Sequence, residues 1–125
     1  MFKGHHQMVA EYEAAADRLT LPPGSSWAGV PKAEPDAVFE TGVGVNTAQM
    51  QWLCSWETEW ISQRGRDADR EERALSQLME FPSTSFYQKF LDDNGRTFYD
   101  EYLTKARLGD PEGFQEDISA NCQGG

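Results

Sequence analysis

The chain has 125 residues, a formal net charge of −10 from 21 acidic against 11 basic residues, and an aromatic share of 12%. That length fits one domain with one core, the aromatic share argues against disorder, and the acidic balance disfavours nucleic-acid phosphates and anionic lipid headgroups as partners. No apolar run approaches the roughly 20 residues needed to cross a bilayer, so the segment itself is not expected to insert into a membrane.

The opening stretch "MFKGHHQMVAEYE" has no signal-peptide hydrophobic region, which leaves two readings: a cytosolic chain, or one whose leader or anchor lies upstream. Residues 1–7, with His5 and His6 adjacent, are expected to be a disordered or tag-like tail rather than a metal site. From Met8 to Leu19 the apolar residues Met8, Val9, Tyr12, Ala15, Ala16 and Leu19 share one side of a helical wheel, which predicts an amphipathic first helix. Pro22-Pro23-Gly24 ends it. Residues 20–45 carry further prolines and glycines without helical or alternating pattern, and read as an irregular loop pinned by Trp27, Val30 and Phe39. Gly42 and Gly44 in "GVGVN" lack the remaining positions of a phosphate loop.

Asn46 and Gln49 resemble a capping pair, which predicts a second helix from about 47 to 64. Trp52, Trp56 and Trp60 occupy an arc of about 80° on that helix, and Met50, Leu53, Cys54 and Ile61 widen it to about 200°. A helix apolar over more than half its circumference is expected at the centre of a bundle. Three buried indoles supply on the order of 10–20 kcal/mol of gross driving force, which a solvent-exposed ligand platform would forfeit. Trp52, at the edge of the arc, is the indole expected to reach the surface if one does.

A third helix is predicted over 67–80, ending near Pro82, with Asp67 and Asp69 at the positive end of its dipole. Phe86, Tyr87, Phe90 and Leu91 predict a short fourth helix stopped by Asn94-Gly95. Phe98, Tyr99, Tyr102, Leu103 and Ala106 predict a fifth that runs to Gly109. Asp110-Pro111 then starts a sixth, whose stripe is Phe114, Ile118 and Cys122. The expected architecture is all-α: five or six short helices around the tryptophan-rich one, spanning 8–122, with residues 123–125 as a tail. Its core is expected to include Met50, Leu53, Trp56, Trp60, Ile61, Phe90, Phe98, Tyr102, Phe114 and Ile118.

Cys54 and Cys122 each lie on a buried-facing stripe and can form one bridge, which would point to an oxidising compartment. Two reduced core thiols in a cytosolic protein fit the same spacing. Glu57 falls inside the apolar arc, where desolvation would raise its pKa as in a general acid. Pairing with a packed arginine or tyrosine, such as Arg107 or Tyr102, is the expected explanation. "LDDNGRTFYDEYL" partly matches a calcium loop, but its first position falls on Phe90, so a helix cap and turn are expected instead. Zinc spacings, nucleotide loops and nucleophile motifs are missing, and neither metal nor cofactor is expected.

The stretch "WLCSWETEW", the later "FYQKFLDDNGRTFYDEYL" and the closing "LGDPEGFQEDISANC" resemble small uncharacterised actinobacterial proteins that are secreted or carried outside a membrane anchor. In these a Trp-x-Cys-x-Trp-Glu-like segment and an Asn-Cys-like end recur. The resemblance covers roughly residues 50–122, departs from the pattern in lacking a leader, and supplies no activity. It implies that Cys54 pairs with Cys122 outside the cytoplasm. The expected function is therefore a non-enzymatic extracytoplasmic interaction or accessory domain with an unidentified protein partner; the sequence does not specify an oligomeric state. The alternative is a cytosolic acidic inhibitor or immunity-type protein that covers a basic partner. An enzyme would rest on Glu57 alone.

Overall fold

Apolar side chains around more than half of a helix need neighbours on several sides, and the longest helix of this chain, α2 (Val43–Gln63), has them. In the computed structural model, which describes residues 2–34 and 36–122, α2 packs against α1 (His5–Asp17), α3 (Ala68–Leu78), α5 (Glu112–Asn121) and a short π-helical turn at Phe86–Phe90. The fourth helix, α4 (Asp93–Arg107), packs on α5 and α3. The result is the expected all-α bundle. All three α2 tryptophans are buried, Trp52 included, so none reaches the surface. They join Leu53, Ala74, Leu78, Phe81, Phe86, Tyr99, Leu103, Ala106 and Phe114 in one cluster.

Two glycines shape the start of α2, and the second, Gly44, sets how closely α1 lies against it. Gly42 precedes α2 with φ 101°, a left-handed conformation open to glycine at little steric cost, and its N–H donates to Glu11 Oε1 at 3.0 Å. A Cβ on Gly44 would stand 2.2 Å from the carbonyl oxygen of Met8. The backbones of α1 and α2 therefore touch where a side chain would hold them apart. This explains why α2 begins at Val43 rather than near Thr47. Gln49, expected to help cap that helix, instead reaches outward, and its Oε1 accepts from Phe86 N at 2.8 Å and from Ser85 Oγ at 3.3 Å.

The amino-terminal segment differs from the expected tail. Phe2–Gly4 forms a strand, β1, that pairs antiparallel with β2 (Val38–Glu40), and α1 begins at His5. Backbone pairing across the loop region is what orders residues 2–4, since three ladder positions (Phe2 with Glu40, Lys3 with Phe39, Gly4 with Val38) occupy donors and acceptors that a free tail leaves to water. Met1 and the expected tail at 123–125 lie outside the described residues.

Residues 20–34 are irregular but anchored. Trp56 Nε1 donates to Thr20 O at 2.8 Å. Tyr12 Oη donates to Gln51 Oε1 at 2.6 Å, Gln51 Nε2 donates to Gly29 O at 2.7 Å, and Gly29 N donates to Tyr12 Oη at 3.0 Å. Trp27 meets the Tyr12 ring edge-on, with centroids 6.0 Å apart. A closed ring of polar contacts plus one aromatic contact thus takes the place of regular structure.

Two expected core residues are not in the core. Phe90 is 62% exposed and Phe98 is 54% exposed. At Phe90 the cause is the π turn: Leu91 N bonds back to Phe86 O, and this wider turn breaks the 3.6-residue register on which the burial of Phe90 depended. Phe90 stacks instead on Phe86, centroids 5.0 Å apart. At Phe98 the cause is angular. The buried stripe of α4 is Tyr99, Leu103 and Ala106, and Phe98 lies about 100° away from Tyr99, beside the half-buried Tyr102. Met50, Ile61 and Ile118 are only partly buried, at the rim of the core, whereas Leu53, Trp56, Trp60 and Phe114 are fully inside.

Asn94-Gly95 also departs from expectation. It opens α4 rather than closing the preceding turn, because Asp92 is a good N-cap and its Oδ1 accepts from Gly95 N at 2.8 Å. Asp93 pairs with Arg96 one turn on, so the acidic residues of this stretch serve the helix start, as the cap-and-turn reading expects.

Candidate functional site

The two cysteines are joined: Cys54 on α2 and Cys122 at the end of α5 form a disulfide with Cα atoms 5.8 Å apart, closing a separation of 68 residues. The bridge lies in the wall of a groove of about 730 Å³ that follows one flank of α2. Asn46, Met50, Cys54 and Thr58 line it from α2, Ser25 to Ala28 border one side, and Phe86, Phe90, Ile118 and Cys122 border the other. The exposed ring of Phe90 is the largest apolar surface on its rim.

Glu57 is buried, as its position in the arc predicts, but its partner is neither Arg107 nor Tyr102. It is Asp117 on α5, itself 1% exposed. Asp117 Oδ1 accepts from Tyr99 Oη at 2.8 Å and from Asn121 Nδ2 at 2.8 Å. Glu57 Oε2 and Asp117 Oδ2 are buried without a hydrogen-bond partner among the described residues. Burial first, then the charge and proximity of Asp117, hold the Glu57 carboxyl well above the ordinary glutamate range. The same burial, with Asp117 alongside, pushes the Tyr99 phenol up, which keeps it a neutral donor.

The other oxygen of Glu57, Oε1, lies 3.7 Å from Cys122 Sγ. From the groove inward, the disulfide is followed by the Glu57 carboxyl, and behind it lies Asp117 with Tyr99 and Asn121. Cys54, Glu57 and Cys122 are close enough to suggest a metal set, their donor atoms lying within 4.8 Å of one another, but the disulfide takes both sulfurs out of thiolate ligation. Cys54 and Cys122 line the groove, whereas Glu57 and Asp117 do not.

Sequence reasoning missed Asp117. Asp117 sits three residues after Phe114 and one before Ile118, on the buried stripe of α5, so its position was visible; a carboxylate there invites a partner, and Glu57 is the other carboxyl on a buried stripe. Glu59 lies just outside the apolar arc of α2, about 20° from Trp52 on the helical wheel. It is 8% exposed because Arg70 of α3 covers it with a two-pronged pair, Nε to Oε2 at 2.9 Å and Nη2 to Oε1 at 3.0 Å. An arginine in the facing helix is the signal, readable only once the pairing of α2 with α3 is known.

The carboxyl pair makes stability depend on pH with a definite sign. An unfolded glutamate releases its proton near 4.5, whereas folded Glu57 keeps it to higher pH. Between those two values the folded state holds a proton that the unfolded state has lost, so raising the pH favours unfolding until Glu57 itself ionises. Its contribution is fully present below about 4.5 and is lost as pH rises through the raised value. Glu57→Gln keeps the size of the side chain but does not titrate. Thermal melts across pH are expected to show wild type losing stability relative to Glu57→Gln as pH rises above about 4.5; parallel curves would place the proton elsewhere.

Compared with known proteins, the chain matches no family profile, no curated protein and no solved structure.

Proposed function

We propose that this chain is a non-enzymatic extracytoplasmic interaction domain of a secreted or membrane-tethered protein, and that a protein partner docks in the groove along α2. The observation that carries the compartment is the disulfide between α2 and α5, since such bonds persist where thiols are not kept reduced. The resemblance of residues 50–122 to secreted or anchored actinobacterial proteins supports the same compartment. The groove supports the docking reading: it is concave, mixes Met50, Phe86, Phe90 and Ile118 with serine, threonine and asparagine side chains, and offers an exposed aromatic ring at its edge. A net charge of −10 favours a neutral or basic protein surface over nucleic acid.

Two measurements test this. Alkylation of the protein in its native extracellular or envelope fraction, followed by intact mass with and without reductant, is expected to find both sulfurs blocked until reduction. Two freely alkylated thiols, together with salt-sensitive capture of a basic protein, would move the reading to a cytosolic inhibitor. A photo-crosslinking residue at Phe90 is expected to trap a partner in that fraction, while one at Leu108, exposed and outside the groove, is expected to trap none. Equal trapping at both positions would remove the groove from the proposal.

A further inference from the structure

We propose that in the reduced chain Cys54, Cys122 and Glu57 form a binding site for one zinc ion, so that the same two sulfurs close either a disulfide or a metal centre. The inference concerns the chain before its thiols are oxidised, and it does not depend on the compartment or on what occupies the groove. Three observations carry it. The two sulfurs and a carboxyl oxygen of Glu57 lie within 4.8 Å of one another. Glu57 Oε1 stands 3.7 Å from Cys122 Sγ, close to the roughly 3.6 Å edge of a tetrahedron in which sulfur lies about 2.3 Å and oxygen about 2.1 Å from the same zinc ion. Glu57 is fully buried and its Oε2 has no hydrogen-bond partner among the described residues, so a carboxyl with unused acceptor capacity stands directly behind the sulfurs.

The bridge itself excludes the ion, because disulfide sulfurs are not thiolate ligands. A newly made chain carries thiols, so no reductant is needed to open the site in it. Without the bond, rotation about Cα–Cβ at each cysteine lets the sulfurs part to the roughly 3.8 Å edge that Zn–S distances of about 2.3 Å require. The Cα atoms, 5.8 Å apart, keep both sulfurs within reach of one ion. Two thiolates and one carboxylate suit zinc rather than magnesium or calcium, which take oxygen ligands. Both cysteines are partly exposed and line the groove, so water can reach the ion and complete four-coordination.

Binding takes up one Zn2+ and releases the two thiol protons and the proton of the Glu57 carboxyl, with no change of oxidation state. Burial disfavours a Glu57 carboxylate on its own, and a divalent charge at its oxygen reverses that preference. Asp117, buried behind Glu57 with Oδ2 also unpartnered among the described residues, adds negative potential that favours a cation at this point of the interior. No local zinc spacing marks these ligands in the sequence, because they come from α2 and the end of α5, with the cysteines 68 residues apart.

The test uses the full chain reduced with a phosphine and kept free of oxygen, so that no added thiol competes for metal. Cobalt(II) is expected to bind one equivalent, giving the near-ultraviolet band of thiolate ligation and the strong visible bands of a four-coordinate ion. Zinc is expected to displace it, whereas magnesium and calcium are not, and the oxidised chain is expected to give no such bands. Zinc is also expected to slow alkylation of both thiols at least about tenfold, read by intact mass. Glu57→Gln, which keeps both thiols, is expected to bind zinc at least about tenfold more weakly in competition with a chromophoric chelator. Cobalt bands missing from reduced wild type, thiols alkylated equally fast with and without zinc, or a folded Glu57→Gln that binds as tightly as wild type would each overturn the site. The first two readouts use wild type alone, so they decide the matter even if the variant fails to fold. If the reduced wild type is itself unfolded, zinc is expected to restore its helical circular dichroism, and a chain that stays unfolded with zinc would equally overturn the proposal.

Discussion

Replacing Cys54 and Cys122 together with alanine is expected to lower stability by about 4 kcal/mol, which for a chain of this length corresponds to a melting temperature about 15 °C lower. The effect originates mainly in the unfolded state. Joining positions 68 residues apart removes from the unfolded ensemble the large set of conformations in which those positions are distant, and alanine restores them. The folded state loses less, because α2 and α5 also meet through the Trp60–Phe114 contact, centroids 5.6 Å apart. Urea unfolding separates the two origins. If the bridge acts on the unfolded chain, the variant exposes more surface on unfolding and its denaturant slope rises along with the fall in midpoint. An unchanged midpoint would mean that the bridge contributes nothing net to the fold.

The bundle and its centre were legible because they follow from spacing. Tryptophans four residues apart, with leucine and isoleucine beside them, determine which face of α2 is buried whatever packs against it, and α2 does take the central position. Other features depend on contacts that spacing does not encode. Phe90 was placed in the core by a 3.6-residue rule that fails where the backbone widens into a π turn, and nothing in "FYQKFL" marks that turn. The pairing of residues 2–4 with 38–40 joins two three-residue segments too short to show alternation.

The candidate site was half legible for a related reason. Glu57 stood out as a charge on an apolar stripe, and both cysteines were found on buried faces. The identity of Glu57's partner depended on the rotation of α5 against α2, and the disulfide restricts that rotation. Once Cys122 is tied to Cys54, the residue one helical turn and a little more before it, Asp117, is brought to Glu57. The expectation of an arginine or tyrosine rested on charge neutralisation alone. Burial that raises the Glu57 pKa favours its neutral form and meets the same need without a cation.

Trp56→Ala is expected to cost about 3–5 kcal/mol, the range for removing a large aromatic from a packed core. The side chain is 0% exposed, donates from Nε1 to Thr20 O at 2.8 Å, and has the guanidinium of Arg73 5.8 Å from its ring centroid. These contributions are unequal. A hydrogen bond of this kind is worth about 1 kcal/mol net, and Thr20 is exposed, so water can take over its carbonyl. Arg73 is exposed too, and its cation–π contact is correspondingly weak. Volume therefore dominates, and Trp56→Phe, which keeps most of the apolar bulk but not the N–H, is expected to cost only about 1–2 kcal/mol. Against a typical net stability of about 5–15 kcal/mol, the alanine variant would come close to the limit of folding at the lower end of that range, and the phenylalanine variant would not. Urea midpoints for the two substitutions decide the point: if they fall equally, the indole stabilises the bundle through its bond to Thr20, and the loop at 20–34 rather than the packed interior is what Trp56 holds in place.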